Sequence, residues 1–239
     1  MVVFFSIFDV RSNKHLKKTM NNTTEIICVL DRSGSMSSIK AASIEGFNTF
    51  LQDQKEEEGE AFISVHLFDD QFETLQERVA IKDAQELNEG NFVPRGMTAL
   101  YDAVCKTINE TNGAHALLAE DERPSKVLFI ILTDGDENSS REYSSENLKQ
   151  LVQEQTDKGW AFVYLAANQD AVETAQSMNI SASNAMNFSA SDSSSKALYS
   201  SLSNKTKMYR SMSSVQARSA SLNLFDADEQ DVRDDIDKK

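Results

Sequence analysis

The chain has 239 residues, 40% apolar and 26% charged, with 24 Lys and Arg against 38 Asp and Glu for a formal net charge of −14. This is the composition of a folded domain with a sizeable core; 8 Gly, 2 Pro and 2 Cys exclude collagen-like, Pro-rich and disulfide-dense scaffolds and any four-cysteine zinc site. The acidity argues against nucleic acid or an anionic membrane surface as partner, and no apolar run approaches the roughly 18 residues of a membrane span.

Val2 to Phe8 is apolar and Arg11 to Lys18 is basic, the reverse of the order in a secretory signal. Residues 1–21 are therefore expected to lie outside the fold as an N-terminal extension, with Met20 as an alternative start. An additional edge strand over residues 2–8 is the competing reading. From residue 25 the pattern changes. Glu25 to Asp31 is a short, nearly continuous apolar run, as in a strand buried on both faces. Ile39, Ala42, Gly46, Phe47, Phe50 and Leu51 recur at helical spacing and predict a helix over about 38–57. Ala61 to Phe68 is a second strand. Asp69 and Asp70 leave no room for a crossover, so Phe72 to Ile81 should return antiparallel beside it.

A loop through Pro94-Arg95-Gly96-Met97-Thr98 leads to a helix with Leu100, Ala103, Val104 and Ile108 on one face. Lys126 to Thr133 is the most strand-like run in the chain. A helix bearing Leu148, Leu151 and Val152, a strand over 161–166, a helix around 171–178 and a short strand over 185–188 follow. Strands alternating with helices predict an α/β, three-layer, Rossmann-like domain. Its six-stranded sheet should be mostly parallel, with one antiparallel edge strand and helices on both faces. Leu198, Leu202, Tyr209, Met212 and Val215 predict a single closing helix over about 195–216, despite the Ser-rich composition. The domain is expected over residues 22–217. Residues 218–239 are expected as an acidic tail, since Asp226 to Lys239 holds seven acids and three bases.

Two acidic turns stand at strand ends. Asp31-Arg32-Ser33-Gly34-Ser35 follows the first strand and Thr133-Asp134-Gly135-Asp136-Glu137-Asn138 follows the strongest later one. In open α/β sheets ligands bind at that edge where strand order reverses, so neighbouring strands would face Asp31 and Asp134 across one crevice. Neither motif contains Lys, His or Cys, and converging oxygens suit a hard cation: Mg²⁺, with Mn²⁺ or Ca²⁺ as alternatives. Ser33, Ser35, Ser37, Ser38 and Thr98 are also candidate helix caps, and Asp134 a candidate turn residue. Asp136 and Glu137 read as solvated loop acids, and Arg32, Met36, Arg95 and Met97 as the rim of the site. His66, Cys28 and Cys105 read as packing residues.

These residues carry a resemblance. Asp31-Arg32-Ser33-Gly34-Ser35 at the end of strand one, Thr98 in a Gly-Met-Thr loop and Thr133-Asp134-Gly135 together resemble the von Willebrand factor A domain family, in its short standalone bacterial and phage form. The resemblance covers about residues 24–190 and extends neither to the N-terminal extension nor to the tail. It implies a metal-ion-dependent adhesion site formed by Asp31, Ser33, Ser35, Thr98 and Asp134. In it Ser33 and Ser35 would bind the metal through their hydroxyls. Thr98 and Asp134 would alternate between direct and water-mediated contact, and Asp31 would orient the serines. The open metal position would accept a Glu or Asp from a partner protein.

Two other functions compete. An Asp after strand one with a later Asp also suits a Mg²⁺-dependent phosphohydrolase of the haloacid dehalogenase kind. That chemistry needs a second carboxylate two residues on, where Ser33 stands. The nucleophile elbow, the phosphate loop and the dinucleotide fingerprint are all absent. The other alternative is a structural or assembly protein whose metal only stabilises loops. The expected function is a cytoplasmic, non-catalytic, metal-dependent protein-binding domain.

Overall fold

The computed structural model describes residues 22–167, 171–188 and 192–224. The expected N-terminal extension, its alternative strand over 2–8 and residues 225–239 of the acidic tail lie outside the described residues.

Strands β1 (Thr24–Asp31), β2 (Ala61–Phe68), β3 (Phe72–Ala80), β4 (Lys126–Thr133), β5 (Ala161–Ala167) and β6 (Ala185–Phe188) form one sheet. Their spatial order is β3-β2-β1-β4-β5-β6. Every pairing is parallel except that of β2 with β3. The tight connection at Asp69–Gln71 explains the exception. The Asp69 N–H donates to the Gln71 carbonyl at 3.0 Å and the Gln71 N–H to Asp69 Oδ1 at 2.6 Å, which turns the chain straight back.

β1 and β4 are buried at every residue, as their unbroken apolar runs require. Ile26, Cys28 and Leu30 point to one face, where helices α1 (Lys40–Glu56), α5 (Asp192–Ser211) and α6 (Ser214–Ala220) pack. Ile27 and Val29 point to the other, against α2 (Leu100–Leu117), α3 (Ser145–Asp157) and α4 (Ala171–Ser177). The result is the expected three-layer α/β architecture. Cys28 and Cys105 are free and buried in these two layers, and burial pushes both thiols up. Among the described residues no helix is long and apolar enough to cross a membrane.

The structure corrects two elements. The first helix starts later than the apolar spacing predicts, because Gly34–Ile39 forms a 3₁₀ segment and α1 begins only at Lys40. The single closing helix is two helices. Ser213 restarts the chain with a capping box: its hydroxyl accepts the Gln216 N–H and Gln216 Oε1 accepts the Ser213 N–H. Just before the break, the buried Lys126 ammonium donates to the carbonyls of Arg210 and Met212 at the end of α5. Val215 is consequently 71% exposed, so its apparent helical register did not mark a core position. Leu224 is buried, and its N–H donates to Asn184 Oδ1 at 2.8 Å.

α1 meets α5 through Gly46, where a Cβ would lie 2.0 Å from the Tyr199 ring. That ring is buried and its hydroxyl donates to the Ser43 carbonyl at 3.5 Å, so a methyl at position 46 has to displace the ring or part the two helices. Gly46→Ala gains about 1 kcal/mol of helix propensity. It loses more to overpacking, leaving a net destabilisation of about 1–2 kcal/mol. A lower urea midpoint with an unchanged slope is the expected reading.

Candidate metal site

Sequence neighbours of β1 lie on one side of it and β4 on the other, so the loops after β1 and β4 diverge and leave a crevice at the sheet edge. Asp31 ends β1 and Thr133 ends β4. Asp31 Oδ1 accepts the Ser33 N–H at 2.6 Å, and Oδ2 accepts the Thr133 hydroxyl at 2.6 Å. The Ser33 and Ser35 hydroxyls are 3.0 Å apart, and Ser35 Oγ donates to Asp134 Oδ1 at 2.6 Å. A Cβ on Gly135 would lie 3.2 Å from Thr98 Oγ1 and 3.5 Å from Ser35 Oγ, so the missing side chain leaves room for both hydroxyls. All five residues singled out in the sequence therefore meet in one place.

Helix capping does not account for the hydroxyls. The residues before α1 and α2 are Ile39 and Ala99, and neither caps through its side chain. Ser33 precedes the 3₁₀ segment without a side-chain cap bond, while Ser37 and Ser38 donate back to the carbonyls of Gly34 and Ser35. The cluster offers two carboxylates and three hydroxyls, a hard all-oxygen donor set. The 3.0 Å between Ser33 Oγ and Ser35 Oγ fits two adjacent ligands of an octahedral ion. With bonds of about 2.1 Å such neighbours stand about 3 Å apart. Among the described residues no group of three or more His, Cys, Asp or Glu offers a rival metal site.

Burial works against the charged form of both carboxylates. Burial pushes Asp31 up to about 6; the Thr133 hydroxyl and Ser33 N–H pull against it, and the nearby Asp134 charge adds to the rise. Burial also raises Asp134, against the hydrogen bond from Ser35.

The residues that hold the three loops together carried weaker sequence signals. Asp69, fully buried after β2, accepts Arg32 Nε at 3.0 Å and Arg95 Nε at 2.8 Å on one oxygen, and its carbonyl accepts the Ala99 N–H. It thus fastens the Asp31 loop to the Thr98 loop. Gly96, at φ +65, accepts the Gly34 N–H on its carbonyl at 3.2 Å, and a Cβ there would strike the Asp70 carboxylate. Asn138 accepts the Thr98 N–H and returns its own N–H to the Thr98 carbonyl. Glu137 accepts the N–H groups of Tyr101, Ser139 and Ser140 and the Ser140 hydroxyl. It organises the loop rather than merely being solvated.

Of the four expected rim residues, two are elsewhere. Met36 is fully buried in the α1 layer, and Arg32 is buried with Nη2 lacking any hydrogen-bond partner. The Asp69 carboxylate draws Arg32 inward, whereas Arg95 and Met97 remain about half exposed at the rim. His66 is buried, stacked on Phe72 and bonded to the Thr74 hydroxyl at 3.0 Å, as a packing residue.

No family model and no curated protein matches the sequence. Solved structures do match the fold. One is a von Willebrand factor type A protein from Catenulispora acidiphila: identity 14%, TM-score 0.54, 78% of this chain and 43% of that one covered. Another is proximal thread matrix protein 1 from the mussel byssus with a zinc-occupied MIDAS motif: identity 16%, TM-score 0.52, coverage 78% and 46%. A third is the SpRpn10 VWA domain: identity 12%, TM-score 0.50, coverage 73% and 93%. The chain thus spans less than half of the first two proteins and nearly all of the third. The fold is that of von Willebrand factor A domains.

Proposed function

We propose that the chain is a member of the von Willebrand factor A domain family. In this reading it is a cytoplasmic, non-catalytic protein-interaction domain that takes a partner's Glu or Asp through a bound divalent cation, Mg²⁺ before Mn²⁺ or Ca²⁺. The observation that carries this reading is the meeting of Asp31, Ser33, Ser35, Thr98 and Asp134 from three separate loops, with their hydroxyls free of capping duty. When bound, the cation supplies a Lewis-acidic position for a carboxylate. Ser33 and Ser35 would present hydroxyl lone pairs, Thr98 and Asp134 would complete the oxygen set, and Asp31 would hold the Ser33 backbone in place. Only two of the five groups are charged, which leaves attraction for a partner carboxylate. A phosphohydrolase reading lacks its second acid, since Ser33 occupies that position.

Calorimetry with MgCl₂ should give one site in the wild type, weakened at least tenfold in Ser33→Ala/Ser35→Ala. A partner should then be retained from lysate in Mg²⁺ and released by EDTA. Magnesium that stabilises the fold while no partner depends on it would instead favour the structural reading. Mg²⁺-dependent phosphoester turnover lost in Asp31→Asn would favour the enzyme.

A further inference from the structure

We propose that Asp102, in the first turn of α2, is a positioning residue for the metal site. It ties the loop that carries Asp134 to the helix that follows Thr98, and cation affinity depends on that tie. The inference rests on the reading above and extends the site to a side chain outside the five. Residues 134–144 connect β4 to α3 without helix or strand, so their backbone N–H groups have no ladder to donate to. Asn138 and Ser139 donate to the Thr98 carbonyl at 3.0 and 3.2 Å. Ser139 and Ser140 donate to Glu137 Oε1 at 2.9 and 2.7 Å. Arg141 donates to Asp102 Oδ2 at 2.8 Å, and Glu142 and Tyr143 donate to Asp102 Oδ1 at 3.0 and 2.8 Å. Every N–H from Asn138 to Tyr143 thus finds an acceptor, and the last three rely on Asp102.

The helix receives its cap in return. Ala99 precedes α2 and has no side chain that can cap it, which leaves first-turn N–H groups in need of outside acceptors. The Tyr101 N–H donates to Glu137 Oε2 and the Asp102 N–H to Ser140 Oγ, both at 3.0 Å. Helix and loop therefore cap one another, and Asp102 takes part in both directions. Thr98 stands four residues before Asp102, and Asp134 opens the loop that Asp102 holds. Their two segments are joined by this exchange of hydrogen bonds, with no strand ladder between them. Removing the carboxylate strands three N–H groups and frees the loop to move away from α2, which loosens the spacing of Thr98 and Asp134. Side chains that orient metal ligands typically cost roughly 10–100-fold in metal affinity when removed. In Asp102→Asn the shape is kept, but whichever way the amide turns, its NH₂ faces a backbone donor.

The test uses the full chain, calorimetry with MgCl₂, and amide hydrogen exchange in EDTA. Asp102→Asn is expected to bind Mg²⁺ about tenfold more weakly than the wild type or worse, and Ser140→Ala about threefold more weakly. Gly46→Ala, destabilised at the α1–α5 contact on the other face of the sheet, should bind as the wild type does. Exchange in Asp102→Asn should quicken at Asn138 and Ser139 as well as at residues 141–143. Asn138 and Ser139 donate to Thr98, so a side chain that only capped its own three donors would leave them unchanged. Wild-type Mg²⁺ affinity in Asp102→Asn, an equal loss in Gly46→Ala, or exchange quickened at 141–143 alone overturns the positioning role and leaves the metal reading standing. If Asp102→Asn does not fold, Ser140→Ala decides, and wild-type affinity in it overturns the proposal. A wild type that binds no Mg²⁺ overturns the metal reading and the positioning role together.

Discussion

Asp31→Asn is expected to be more stable than the wild type in EDTA at pH 7, by up to about 3 kcal/mol, and to lose that advantage as Mg²⁺ is added. The cause is the burial that raises the Asp31 carboxyl from its ordinary value near 3.8 to about 6 in the metal-free fold. Below pH 4 the group is protonated in both folded and unfolded chains and imposes no penalty. Between about 4 and 6 the unfolded chain ionises first, so the folded state holds more protons and its stability falls as pH rises. Above 6 the full penalty of the buried anion is present. Asparagine avoids it, because its oxygen still accepts the Ser33 N–H and its amide can donate to Thr133 Oγ1. The Thr133 hydrogen then turns to the Gly135 carbonyl, 3.1 Å away.

Magnesium supplies the opposing term. Binding to the folded state alone stabilises the wild type by about 2.7 kcal/mol at a hundred times the dissociation constant and about 4.1 at a thousand times. The gap should therefore close at the first concentration and reverse at the second. Urea melts of both proteins at pH 4 and pH 7, with EDTA and across a MgCl₂ series, check the argument. Equal stability in EDTA at pH 7 would remove burial as the cause, and a gap indifferent to Mg²⁺ would remove Asp31 from the site.

Asp69→Ala is expected to cost about 3–5 kcal/mol, the range for breaking a buried ion pair by removing one partner. Arg32 is only 5% exposed, and after the substitution its one remaining carboxylate is Glu73, which is 51% exposed. Its Nη2 is already without a partner, so a buried guanidinium would be left with little compensation. Arg95 loses the same anchor, and with it the loop that delivers Gly96 and Thr98 to the cluster. Weaker Mg²⁺ binding should accompany the loss of stability. Replacing both buried partners, as Arg32→Met/Asp69→Leu, should recover part of the stability, because no isolated charge then remains. Strictly additive effects would show that the two residues do not act as a pair.

The sheet was legible because its strands are buried runs separated by amphipathic helices, a pattern that follows from local sequence alone. Asp31, Ser33, Ser35 and Asp134 were legible as candidates for a related reason. Each stands at or just beyond the end of a strand whose position the apolar pattern reveals, whereas Thr98, in the loop before α2, was singled out by the family resemblance. The closing helix was misread because Leu198, Leu202, Tyr209 and Met212 keep one periodicity up to the break. The restart depends on Ser213 meeting Gln216 and on Lys126 reaching across 86 residues to the Met212 carbonyl.

Local periodicity and strand-end position thus determined the three-layer architecture, the antiparallel edge and four of the oxygen-bearing residues, while Thr98 was singled out by the family resemblance. Tertiary structure alone decided which neighbours support them. Asp69 lies 37 residues from Arg32 and 26 from Arg95, and Asn138 lies 40 from Thr98, so no local pattern encodes those pairings. Arg32 reads as a surface residue until a buried carboxylate draws it in, and Glu137 reads as solvated until three backbone N–H groups from two segments converge on it. Burial and hydrogen bonding are properties of what folding brings together, and for these residues the partners come from elsewhere in the chain.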